Sequence, residues 1–411
     1  MPSDMGRRID VAALGVTQII GYGTLYYSFS ILAPAMARDF GWPREWIFAA
    51  LSAALLTGGL VAPWAGRWID RFGAGRVMAA GSMAAALALA ACALAPSGFL
   101  FVPALFAIEI AATLIQYGAA FPLLVQRHPG AAQRSIVYLT LIAGFASTIF
   151  WPVSTWLHGF LTWQQIYLVF ALMHVVLCLP IHLWMSRRLP VAAEPADGKG
   201  ARKPPSPHSS LPPEARSKGF LLMAAGFALQ SFISSAILVH MLPMLGALGL
   251  GLAGVAVGAL FGPSQVASRF INMIFGRELS QVSLAIVSAA LMPIALVLLL
   301  VTAPSFAGAM LFAILFGMGN GLYSIVGGTL PLALFGAEGY GARQGQMMSV
   351  RLIVGSAAPF AFALMMDQIG VKGALAVAAL SGCCAVLAFA AIARLVAVVP
   401  VRPVGDGMMP R

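Results

Sequence analysis

Three ionisable residues, Glu109, Arg269 and Arg351, fall inside long apolar runs of this chain. A charge at the centre of a membrane-spanning helix costs about 2.5–3.5 kcal/mol on insertion scales, so such residues are functional by default. A buried carboxyl can hold and release a proton near neutral pH, so Glu109 could carry a coupling proton. It could equally be the structural partner of an arginine. Arg269 shares a helical face with Gln265 and Asn272, and Arg351 lies eight residues past Arg343. Both guanidinium groups then sit about 10 Å in from the arginine-rich ends of their helices, at 1.5 Å per residue. Facing one cavity, they could grip an anionic substrate, because arginine can hold a carboxylate with two parallel hydrogen bonds. The competing arrangement has them snorkel to the nearby surface or pair with Glu109, Asp70 or Glu278.

Uncharged polar residues recur at steps of three and four in four of the apolar runs. Gln18, Tyr22 and Tyr26 form one set, and Glu109, Thr113, Gln116 and Tyr117 a second. Gln230, Ser231 and Ser234 form a third, and Asn320, Tyr323 and Ser324 a fourth. That spacing puts each set on one helical face, where it could line a polar cavity or bond a neighbouring helix. His174 reads as a hydrogen-bonded interior histidine, and His158 and His240 lie near helix ends. Cys92, Cys178, Cys383 and Cys384 sit in apolar runs without metal-ligand spacing, so no metal site, cofactor or disulfide framework is expected. No nucleophile, base and acid converge in a loop, so the chain is not read as an enzyme.

The elements that position these groups are membrane helices. Hydrophobic residues make up 60% of the 411 and charged ones 9%, with mean hydropathy +0.91. About 20 apolar residues span a bilayer as a helix. The apolar runs predict twelve spans, six over 11–37, 45–66, 76–95, 98–126, 134–157 and 163–186. The other six cover 218–245, 250–275, 281–301, 304–335, 343–366 and 371–398. Between the sets, 187–217 is rich in Pro, Ala, Ser and basic residues and reads as a disordered cytoplasmic linker between bundles at 1–186 and 218–411. The first run is too long for a signal-peptide core. Lys and Arg collect in alternate loops, which puts both termini in the cytoplasm. The pI near 10.0 has that same origin, with no basic stripe interleaved with exposed aromatics, so nucleic acid is not an expected partner. Neither of the two Asn stands in a glycosylation setting, and with the Ala-rich composition this points to a bacterial inner membrane.

The two sets echo one another. Pro122-Leu123-Leu124 matches Pro331-Leu332-Ala333, Arg134 matches Arg343, and Gly66-Arg67 matches Gly276-Arg277, all at offsets of 209 or 210 residues. Between runs two and three, Gly66, Asp70, Arg71, Gly73 and Arg76 form a charged island. Gly66 lets two helices approach closely, and Asp70 can meet the positive N-terminal end of a neighbouring helix. Arg71 and Arg76 could bind carboxylates or carbonyls in a closed latch. A plain topogenic loop is the simpler alternative. The second copy, Gly276-Arg277-Glu278, lacks an acid at the position matching Asp70, so two unequal gates are expected.

The island resembles the loop after helix 2 of major facilitator transporters, whose pattern runs roughly Gly-x-Leu-x-Asp-Arg-x-Gly-Arg-Arg. That resemblance implies an all-α membrane protein with twelve transmembrane helices in a six-plus-six pseudo-symmetric fold that works by alternating access. It also implies a central cavity lined by helices 1, 4, 7 and 10, which carry the four polar sets. Ser28-Phe29-Ser30 to Asp39-Phe40-Gly41-Trp42 resembles monocarboxylate and oxalate carriers, which keep an arginine where Arg269 falls; the acid one turn earlier is Gln265 here. Gly15 to Thr24 resembles arsenical-exporting bacterial facilitators. The expected function is secondary transport of a small polar or anionic solute, monocarboxylate-like, with a proton as candidate coupling ion. Efflux of trivalent arsenicals or drug-like compounds is the alternative, and a non-transporting receptor a remote one. The expected partners are a small-molecule substrate, that proton and the lipid bilayer, with the chain a monomer.

Overall fold

The computed structural model describes residues 2–187, 210–251 and 253–397, and the side chains of Pro2, Ser3, Arg44, Val255 and Arg277 are outside that description. Most of the sequence-predicted linker falls on the residues left out. The regular structure described is helical throughout. That follows from solvent: in a bilayer, backbone N–H and C=O groups must be satisfied within the segment. Large apolar side chains such as Leu87, Ile294, Val297 and Leu387 accordingly point outward.

The chain opens with α1 (Pro2–Tyr22), which passes through a π-turn at Gly23–Tyr27 into α2 (Ser28–Phe40). Then come α3 (Arg44–Phe72), α4 (Ala74–Ala93), α5 (Gly98–Ile115) and α6 (Tyr117–Arg127). The next four are α7 (Ala132–Ala143), α8 (Ala146–His158), α9 (Trp163–Met173) and α10 (Leu179–Arg187), the last two joined by a π-turn at His174–Cys178. Beyond the linker lie α11 (Arg216–Ala247), α12 (Ala253–Ala259), α13 (Phe261–Phe275) and α14 (Gln281–Thr302). The last two are α15 (Phe306–Phe335) and α16 (Tyr340–Ala397). Gly370, at φ 74°, divides α16 where the last two predicted runs meet. Among the described residues nine helices are long and apolar enough to cross a membrane. They take in ten of the twelve predicted runs, since α16 holds two. The other two runs are the first, which forms α1 and α2, and the eighth, which forms α12 and α13.

Buried apolar residues gather into two clusters. One draws on α1 through α10, with Leu332 and Tyr340 added from the second half. The other draws on Leu211, α11, α12 and α14 through α16, with Phe261 of α13 packed against it. Within the first, Asp10 of α1 is tied to the end of α6: Arg127 Nη2 lies 2.8 Å from Asp10 Oδ2 and His128 Nε2 also lies 2.8 Å from it. Arg127 also donates to the Met185 carbonyl at 2.9 Å, drawing in α10. Burial pushes the Asp10 carboxyl up, but the His128 hydrogen bond and the Arg127 charge outweigh it and leave Asp10 below the usual carboxylate range.

The paired π-turns meet: Thr24 Oγ1 and His174 Nε2 are 2.8 Å apart. His182 bridges Ser82 at 2.7 Å and Thr17 at 3.1 Å, so both histidines serve as interior hydrogen-bond groups.

Candidate functional site

The halves touch most closely at the arginine-rich end, where α3 crosses α16. Gly59, Ala62 and Gly66 give α3 a flat face, and Gly341 and Gly345 give α16 another, so two backbones meet with little side chain between them. A Cβ at Gly66 would fall 2.3 Å from the Gly341 carbonyl oxygen, and one at Gly345 would fall 2.4 Å from that of Ala62. One turn beyond Gly66, α3 presents Asp70. Its Oδ1 accepts from the Gly341 N–H at 2.9 Å and its Oδ2 from the Ala342 N–H at 2.7 Å. These amides belong to the first turn of α16, which has no intrahelical acceptors for them, and the helix dipole favours an anion there.

Gly73, at φ 86°, ends α3 in a backbone conformation that favours glycine. Gln126 holds the turn that follows, accepting from the Ala74 N–H at 2.9 Å and donating to the Ile69 carbonyl at 3.3 Å. Arg71 lies against the Phe72 ring and Arg76 is exposed; neither forms an ion pair among the described residues. Gly276–Glu278 is a single 3₁₀ turn whose Glu278 is exposed and without an ion pair among the described residues, and the side chain of Arg277 lies outside them.

On the other flank, Arg269 of α13 reaches across the halves. Its Nη1 donates to the Thr140 carbonyl of α7 at 3.0 Å, and its Nε to the Gly321 carbonyl of α15 at 3.3 Å. Gly144 leaves the space for it, since a Cβ there would fall 2.3 Å from Nη1. Between the flanks, Phe121 packs on Gly328 and Gly118 on Met348, which completes a floor.

Above that floor stand groups from both halves. Arg351 of α16 donates to the Tyr323 hydroxyl at 2.7 Å, with its guanidinium 4.2 Å from the Tyr323 ring centroid and 5.9 Å from that of Phe227. The Tyr323 hydroxyl donates in turn to the Phe227 carbonyl at 3.2 Å. Facing them, Tyr22 and Tyr117 pack with centroids 4.8 Å apart. Tyr117 lies within electrostatic reach of both Arg269 and Arg351, Tyr22 of Arg351, and Tyr27 of Arg269. Neither arginine pairs with a carboxylate among the described residues.

The other sequence-predicted residues divide by surroundings. Gln18 is buried and donates to the Ile115 carbonyl at 2.7 Å, next to the break between α5 and α6, where Gln116 takes ψ −163°. Thr113 bonds back to Ile110. With Gln116 it borders a cavity of about 10 Å³ against Gly66, Gly345 and Met348, about room for one water. Glu109 is 6% exposed, and its Oε1 has no hydrogen-bond partner among the described residues. Tyr26 is half-exposed and within electrostatic reach of Glu109. Ser234 donates to Asn320 at 2.6 Å and Asn320 to Gln265 at 3.1 Å, one polar chain through α11, α15 and α13. Gln230 turns towards α14, donating to Ser288 at 3.2 Å.

Sequence reasoning missed Thr140, Gly341, Gly345 and Phe227. The Gly341 and Gly345 pair was readable as a small-residue step of four. Thr140 and Phe227 act through their carbonyls, which no side chain announces.

The sequence pattern of the Major Facilitator Superfamily matches residues 14–359. No curated protein matches the chain. Among solved structures, the fucose transporter FucP in its outward conformation superposes with a TM-score of 0.71 at 13% identity, covering 94% of this chain and 99% of that one. The human organic anion transporter MFSD10 gives 0.68 at 14% identity, covering 93% and 99%. The proton:xylose symporter XylE, bound to 6-bromo-6-deoxy-D-glucose, gives 0.69 at 12% identity, covering 95% and 96%. With most of its length matched by the family pattern and its fold shared with these transporters, this chain belongs to the major facilitator superfamily of membrane transporters.

Proposed function

We propose that this transporter moves a small organic anion, monocarboxylate-like, by alternating access between bundles at 1–186 and 218–411, with Glu109 as the proton-coupling group. One observation carries the substrate class: Arg269 and Arg351 lie between the halves with no carboxylate paired to either among the described residues. Unbalanced cations inside a membrane are costly, and an anionic solute offsets that cost when it binds. Arg351 is the primary anchor. The Tyr323 hydroxyl and the two rings hold its guanidinium, while Tyr22 and Tyr117 face it from the other half. Arg269 is committed to two carbonyls while the arginine-rich end is shut.

In this reading Asp70, Arg269 and the glycine crossing keep that end closed, and solute enters from the opposite side, which the arginine distribution assigns to the exterior. An unpartnered Glu109 oxygen, buried near Tyr26, suits a group that gains and loses a proton as the cavity alternates between the two sides.

The test is a thermal-shift panel on purified protein, because a ligand that binds the native state stabilises it in proportion to affinity. Small carboxylates should raise the melting temperature of wild type and leave Arg351→Ala unmoved. A shift by arsenite or by drug-like cations, with none by carboxylates, would refute the reading and favour efflux.

A further inference from the structure

A second recess lies away from the central cavity, between α1 and α7 at the arginine-rich end. Arg7, Arg8, Val11, Ala12, Tyr138, Leu141 and Ile142 enclose about 230 Å³. An apolar cavity of about 150 Å³ takes a benzene, so this one has room for a short length of hydrocarbon. Its parts are ordered by depth. Arg8, Val11 and Ala12 follow at steps of three and four on α1. Tyr138, Leu141 and Ile142 do so on α7, so α1 brings an arginine to the mouth and both helices line it with carbon above. Arg8 is exposed, while Arg7 is tied to Asp4 at 3.0 Å. Higher up, Ile142 closes onto Gly15, where a Cβ would fall 2.6 Å from it. From Arg8 to Gly15 is about 10 Å of helix.

We propose that this groove holds one anionic phospholipid of the adjoining leaflet, its phosphate on Arg8 and the start of one acyl chain along Val11, Ala12, Leu141 and Ile142. Charge complementarity selects the head group: Arg7 and Arg8 line the groove, and Asp4 balances only Arg7, which leaves the Arg8 charge for a phosphate. The groove also adjoins the machinery. α7 carries Thr140, whose carbonyl receives Arg269, and α1 carries Gln18 and Tyr22, so a lipid wedged between the two helices braces one wall of the central cavity.

Native mass spectrometry of the detergent-purified full chain tests this, with phosphatidylglycerol and phosphatidylcholine as probes. Wild type should retain one phosphatidylglycerol in preference to phosphatidylcholine. An arginine near the membrane surface contributes about fivefold, so Arg8→Gln should cut the preference by about that factor. Ala12→Trp should lower retention by filling the tail channel with charge unchanged, whereas Arg394→Gln, an exposed arginine far along the chain, should change nothing. Melting curves of each variant separate loss of lipid from loss of fold. Equal retention of both lipids, an unaffected Arg8→Gln protein that melts normally, or displacement of the lipid by millimolar inorganic phosphate overturns the assignment; the last outcome marks a free-phosphate site. None of these readouts depends on what the central cavity transports.

Discussion

Gly66→Ala puts a wedge into the closest approach between the halves. The added methyl would lie 2.3 Å from the Gly341 oxygen and 3.1 Å from the Ala342 Cα, both main-chain atoms that cannot rotate away. An ordinary contact needs about 3.4 Å, so the two helices must separate by about 1 Å at that point. Asp70 lies one turn further along α3, and its 2.9 Å and 2.7 Å bonds to Gly341 and Ala342 would stretch past hydrogen-bonding range. Overpacking of this kind costs about 1–3 kcal/mol, which changes the ratio of closed to open arginine-rich ends by roughly 5- to 150-fold. Spin labels at the exposed positions Arg76 and Arg394, in opposite halves at that end, read the ratio directly. The longer-distance population should grow in Gly66→Ala, and the effect should repeat in Gly345→Ala. An unchanged distance distribution in a protein that still melts cooperatively would mean that the crossing does not hold this end shut.

Other predictions use separate readouts. Asp70→Asn keeps one acceptor oxygen but loses the charge at the start of α16. It should shift the same distance distribution towards open by about tenfold and slow transport in proteoliposomes. Glu109→Gln should remove the response of uptake to an imposed pH gradient while leaving solute exchange intact; persistent proton-driven uptake would exclude Glu109 as the coupling group. Asp10 has a folded pKa below its unfolded value, so its contribution is present above about pH 4 and is lost as pH falls through the folded value. Melting temperature should therefore drop more steeply below about pH 4 in wild type than in Asp10→Asn. Arg127→Ala, which leaves the Asp10 carboxylate buried with less compensation, should cost about 3–5 kcal/mol at neutral pH.

Hydropathy made the helices legible, because a spanning segment must be apolar along its whole length. Their interruptions were harder to see. The π-turn at Gly23–Tyr27 and the break at Gln116 fall inside runs whose hydropathy does not mark them, and the second is supported by Gln18, which donates to the carbonyl of Ile115, 97 residues away along the chain. Asp70 was readable from its spacing to Gly66 and Gly73, which are needed for close approach and for turning. Its acceptor role towards α16 was not, since Gly341 and Ala342 contribute only main-chain amides. Arg269 looked like a ligand for substrate because its type and depth suited one. The Thr140 carbonyl it bonds in this conformation is invisible to any reading of residue types. Gln230 and Ser234, one turn apart on α11, turn to different neighbours, α14 and α15, and spacing alone cannot separate them.

Two polar ties between the halves among the described residues have reciprocal chemistry. The first half lends an anionic acceptor, Asp70, to amides of the second, and the second lends a cationic donor, Arg269, to a carbonyl of the first. In neither tie does a side chain meet a side chain. Exchanging the charges by placing an arginine at 70 and an aspartate at 269 therefore cannot restore either contact, as it can for an ordinary ion pair. The donors on α16 are main-chain amides, so proline at 341 or 342 would remove one, and any side chain at 341 would crowd the contact, since a Cβ there would fall 2.5 Å from Asp70 Oδ1. On the proposed gating role, the lock would be encoded in two side chains and otherwise in the peptide backbone itself, so genetic suppressors of a loosened gate should arise by altering helix packing rather than by recreating a partner.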